Sequence, residues 1–155
     1  MKPLDRGYDI LERAHRELTE DINDGTLNRL RCELLDYRRA AGDEWSEFAK
    51  SHFPRHPLCG LLHESPFARR SYARPRGYAG DAVTLDYIYG HIPVDDASHV
   101  GQAVYDWEDR TANSRSVRAR RELVASRVRL RAPGRCPASC RWLAATCGKR
   151  AIPRR

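Results

Sequence analysis

A chain of 155 residues is long enough for one domain with its own core, and 41% hydrophobic against 32% charged residues suits a surface-rich helical protein. No apolar run approaches a membrane span and Met1-Lys2-Pro3-Leu4-Asp5-Arg6 lacks the apolar segment of a secretory leader, so a cytoplasmic protein is expected. The net charge of +7 conceals a division: residues 1–109 carry 14 Lys/Arg against 20 Asp/Glu (−6), whereas residues 110–155 carry 14 against Glu122 alone (+13).

Leu4, Tyr8, Leu11, Ala14 or His15, Leu18 and Ile22 recur at spacings of three and four, which predicts a first amphipathic helix ended by Asn23-Asp24-Gly25. Thr26 is a suitable cap for a second helix, with Leu27, Leu30, Leu34, Tyr37 and Ala41 on one face and Gly42 as its stop. Asp43 is placed to cap a third, shorter helix through Trp45, Phe48 and Ala49. The short joints predict an antiparallel array.

A proline-punctuated turn, His52 to Pro57, precedes Leu58-Cys59-Gly60-Leu61-Leu62-His63. His52, His56 and His63 lack metal-ligand spacing and read as surface or satisfied histidines, with no metal site expected. Cys32 and Cys59 read as small buried hydrophobes. Ser65-Pro66 starts a helix, Ser as cap and Pro at its first position, which runs Phe67–Ala73. After Gly90, Ser98 caps a helix carrying Val100, Val104 and Trp107; Thr111-Ala112-Asn113-Ser114 breaks it, and Ser114 or Ser116 opens an arginine-rich helix to about Ser126.

Between these lies Arg74-Pro75-Arg76-Gly77-Tyr78-Ala79-Gly80-Asp81, followed by Ala82-Val83-Thr84-Leu85-Asp86-Tyr87-Ile88-Tyr89-Gly90. Pro75 disfavours helix at Arg74, the two glycines permit unusual backbone angles and close approach of a ligand, and Asp81 sits at a helix N-cap. Such a string suits a plain loop-to-helix joint and a functional loop alike.

From Arg127 on there are nine basic residues and no acid. The stretch has no period, many breakers and only a brief apolar patch at Trp142-Leu143-Ala144-Ala145, which predicts a disordered basic tail over 127–155 after a helical domain over 1–126. Weak, non-specific nucleic-acid binding is one use of such a tail, although a recognition module is lacking. Cys136, Cys140 and Cys147 make a poor zinc set, three thiols without a Cys-x-x-Cys pair or a following His. A helical protein-interaction module built on the acidic N-terminal part is a third reading.

Ser65-Pro66-Phe67-Ala68-Arg69-Arg70, Arg74 to Asp81, Asp86-Tyr87-Ile88-Tyr89 and Ser116-Val117-Arg118-Ala119-Arg120-Arg121-Glu122-Leu123 together resemble the N-terminal region of a group of bacterial class I S-adenosylmethionine-dependent methyltransferases. That group is associated with a hydroxypalmitate methyl ester extracellular signal. The resemblance covers about residues 60–126 and is carried chiefly by Arg-Gly-Tyr-Ala-Gly-Asp. It implies a helical cap before a Rossmann-like domain, S-adenosylmethionine as cofactor, a small-molecule methyl acceptor, and cofactor-side roles for Arg76, Gly77, Tyr78, Gly80 and Asp81. No catalytic residue is implied. The strand, glycine turn and acidic strand end expected next are missing, which makes the chain a fragment expected to be inactive alone. Codons for Leu-Arg-Glu-Ala-Arg read one base out of register can spell Cys147-Gly148-Lys149-Arg150, so translation beyond about Arg127 is expected to be out of frame.

Overall fold

The structure, a computed structural model, describes residues 3–131. Among them are eight α-helices and no strand, so the expected mainly α architecture holds and no Rossmann-like sheet is present in the described residues. None of these helices is long and apolar enough to cross a membrane. The chain divides into two units, Met1–Ser114 and Arg115–Arg155. The disordered tail and the Cys136, Cys140 and Cys147 set predicted from the sequence fall, from residue 132 on, outside the described residues.

In the first unit, α1 (Pro3–Glu20) and α2 (Asp24–Ala41) lie antiparallel, as Arg13–Glu33 and Glu17–Arg29 ion pairs show by their opposed numbering. Ile10, Leu11, Ala14 and Leu18 from α1 meet Leu27, Leu30 and Tyr37 from α2. Burying each large apolar side chain there stabilises the fold by roughly 1.5–3 kcal/mol. Gly7 permits the approach of a third layer: a Cβ on it would stand 2.5 Å from the Phe48 ring and 2.9 Å from that of Tyr37. Phe48 and Tyr37 meet edge to face with centroids 5.0 Å apart, and the buried Tyr37 hydroxyl has no hydrogen-bond partner among the described residues.

Several local expectations need correction. Asn23, not Thr26, caps α2: its side-chain oxygen accepts from the Thr26 N–H at 2.9 Å, and Thr26 itself is buried in the first turn. Asp43 has helical backbone angles and makes no side-chain cap, because the chain passes with little break from Gly42 into α3 (Glu44–Glu47), a π-helical turn Phe48–His52 and a 3-10 turn Phe53–Arg55. Cys32 is exposed, lying off the face defined by Leu27, Leu30 and Tyr37, whereas Cys59 is buried.

His56 is extended and buried, and its Nδ1 accepts from the Leu58 N–H to start α4 (Pro57–Leu62) while Nε2 lies 3.3 Å from Glu12. His52 pairs with the Tyr8 hydroxyl at 2.5 Å, and His63 lies 3.7 Å from the Cys59 sulfur. Ser65 caps α5 (Pro66–Ala73), Asp81 caps α6 (Ala82–Ile88) and Ser98 caps α7 (His99–Arg110), each as the sequence predicts. Gly101 lets α7 close on the α4–α5 joint, where any Cβ would collide with the Glu64 carbonyl.

The arginine-rich helix, α8 (Ala112–Arg131), begins earlier than Ser114 or Ser116 and runs past Ser126, so residues 127–131, expected in the disordered tail, are helical. The Thr111 hydroxyl accepts from the Ser114 N–H at 3.4 Å and donates to the Glu108 carbonyl at 2.7 Å, so Thr111 both ends α7 and launches α8. Within the second unit α8 exposes Leu123, Val124 and Val128 among arginines.

Candidate functional site

The loop between α5 and α6 is built from its two ends. Pro75 prevents the helix from continuing, so Arg74 turns to the left-handed region (φ 47°) while its N–H still bonds the Arg70 carbonyl at 3.0 Å. The Gly77 N–H then closes a turn onto the Arg74 carbonyl at 2.8 Å, with Gly77 at φ 84° where a side chain would be strained.

At the other end Asp81 is fully buried. Its Oδ1 accepts from Arg70 Nε at 3.0 Å, from the Thr84 N–H at 2.8 Å and from the Thr84 hydroxyl at 3.0 Å, and its Oδ2 accepts from Arg70 Nη2 at 2.5 Å. Arg76 Nε lies 3.9 Å from the same Oδ2. The Arg70 hydrogen bonds, aided by those from Thr84 and by the guanidinium charge, hold the Asp81 carboxyl well below the usual carboxylate range despite its burial. Asp81 also raises the Arg70 guanidinium further. One carboxylate thereby caps α6 and ties it to the last turn of α5.

The five residues implicated by the resemblance are therefore placed differently. Asp81 faces inward and its carboxylate is taken up by protein donors. Arg76 and Tyr78 face water, Tyr78 with 55% of its surface exposed, and Gly77 and Gly80 have open space where a Cβ would stand. The loop thus offers a phenol and a guanidinium on a backbone pinned from below.

Two features escape reasoning from sequence. Arg70 belongs to the quoted motif, but its partner is eleven positions away and Asp81 already has a role as a cap. Glu108 is the second: the Ser65 hydroxyl donates to its Oε2 at 2.9 Å while accepting from the Ala68 N–H at 3.2 Å. Burial pushes the Glu108 carboxyl up to about 7, against the pull of the Ser65 bond. Nothing at 43 positions' separation marks that pair in the sequence.

Other candidate chemistry is poor. Burial raises the Cys59 thiol, and burial with the nearby Arg69 charge lowers His63, so this pair does not make a thiolate nucleophile. Among the described residues no group of three or more His, Cys, Asp or Glu is disposed to hold a metal ion. No protein-family model, no curated protein and no solved structure matches this chain. The methyltransferase resemblance rests on the residues quoted for it.

Proposed function

We propose that the helical unit is the cap of an S-adenosylmethionine-dependent methyltransferase, acting in the cytoplasm and closing over a cofactor and a small-molecule acceptor supplied with a catalytic domain. The observation that carries this reading is the exposed Tyr78–Arg76 pair on a loop anchored by buried Asp81. A solvent-facing aromatic ring between two glycines has little packing value, but it suits contact with a cationic sulfonium through its π face. Arg76 suits the cofactor carboxylate, and Gly77 and Gly80 give the ligand access to backbone. Asp81 takes the role of positioning residue.

Methyl transfer is displacement at an already activated carbon, so a cap contributes by orienting the reactants and excluding water. The described residues alone form no sheet against which the loop can close, so the cap is inactive without its catalytic domain. Sequencing the gene tests it. One alternative frame from about codon 127 should encode an apolar strand, a glycine turn and an acidic strand end; no such continuation in either alternative frame counts against it.

A second reading has one observation in its favour: Arg115, Arg120 and Arg127 of α8 are exposed, and Glu122 is the helix's only acid. Phosphate backbones bind such helices weakly and lose them steeply as salt rises. Retention on immobilised duplex DNA, measured against salt with and without residues 127–155, separates this property from methyl transfer.

A further inference from the structure

Against α5 and the start of the Tyr78 loop lies a groove of two arms that share lining residues. Its smaller arm, about 280 Å³, is lined by Pro66, Arg69, Arg70, Ala73, Pro75 and Tyr87. Pro66, Arg69 and Tyr87 also line the larger arm, about 430 Å³, which runs on along Pro93, Val94 and Ala97. The larger volume is on the scale of small-molecule sites, and the smaller falls just short of it.

The two arginines of the smaller arm are differently employed. Arg70 gives Nε and Nη2 to buried Asp81, which fixes its plane and leaves Nη1 without an acceptor among the described residues. Arg69 has no ion pair or hydrogen-bonded carboxylate among the described residues, although it is exposed at the groove. Two guanidinium groups thus share one arm with a single compensating carboxylate, and one of them is held rigid. A rigid fork beside a free one is well disposed to take a planar or tetrahedral oxyanion.

The walls define the rest of the ligand. Tyr87 is fixed by edge-on contacts with Phe67 and Tyr105, at centroid distances of 6.2 and 6.3 Å, and its backbone carbonyl accepts from the Tyr105 hydroxyl at 2.8 Å. Glu64, which accepts a hydrogen bond from Ser98, and Asp96 line the larger arm and repel an anion there. They leave the charge to the smaller arm and an uncharged body to the larger one.

We infer that this groove binds a small organic anion, its carboxylate or phosphate held by Arg69 and the open edge of Arg70 and its apolar body lying along Tyr87, Pro93 and Val94. This site goes beyond the cap proposal and does not depend on it. Calorimetric titration of the full chain with hexanoate, hexyl phosphate and hexanol tests it. At least one anion should bind at millimolar concentration and hexanol should not; the tighter anion identifies the headgroup. Arg69→Gln, at an exposed position and checked for helix content by circular dichroism, should weaken the preferred anion by about tenfold, the loss of one charge-assisted contact, with partial recovery in Arg69→Lys. Binding of neither anion, equal binding of hexanol, or unchanged affinity in Arg69→Gln would overturn the assignment.

Discussion

Arg70 grips Asp81 through two nitrogens, at 3.0 and 2.5 Å, with the carboxylate wholly out of water. Removing one partner of such a pair leaves the other with an unmet charge, which is costlier than the pair's net contribution. Asp81→Ala also removes the α6 cap, whereas Asp81→Asn can keep it. We expect Asp81→Ala to lower the melting temperature by on the order of 10 °C and Asp81→Asn by less. Because the folded carboxyl lies below its ordinary value, its stabilisation is present above that value and is lost only as the pH falls towards the folded one. Thermal unfolding of both variants at neutral and strongly acidic pH checks the order and the sign.

Glu108 behaves in the opposite sense. Its folded carboxyl titrates near 7 against an ordinary 4.5, so the folded state binds more protons between those values. Stability falls as pH rises through that window. Glu108→Gln can still hydrogen-bond the Ser65 hydroxyl but carries no charge. Relative to this variant, the native chain should lose roughly 2 kcal/mol between pH 4.5 and 7.5, an amount reduced for partial solvent access. Urea unfolding at the two pH values measures the difference; parallel changes in both proteins would contradict it.

The Tyr37 hydroxyl is buried and has no hydrogen-bond partner among the described residues. Tyr37→Phe deletes the polar atom and keeps the ring against Phe48 and Trp45. It should be neutral or stabilising by about 1 kcal/mol, unlike most core changes. Denaturant midpoints of the two proteins decide.

What was legible follows from the range of the interactions. Ser65, Asp81 and Ser98 act on N–H groups three residues ahead, so each cap is visible locally. The antiparallel pairing of α1 and α2 follows from two apolar faces and a short joint. Thr26 misled because Asn23 offered a second capping side chain three positions earlier and took the role. Gly7 carries no local signal in the sequence, since the Phe48 ring that requires its bareness is far along the chain. The inward turn of Asp81 was hidden for the same reason: its partner Arg70 lies on another helix.

The cap proposal depends on Tyr78 meeting the cofactor. The direct measurement is calorimetric S-adenosylmethionine binding to a frame-restored protein, native and Tyr78→Ala. The account predicts about tenfold weaker binding in the variant, the scale of a desolvated cation–π contact. Equal affinities in the two proteins would contradict it.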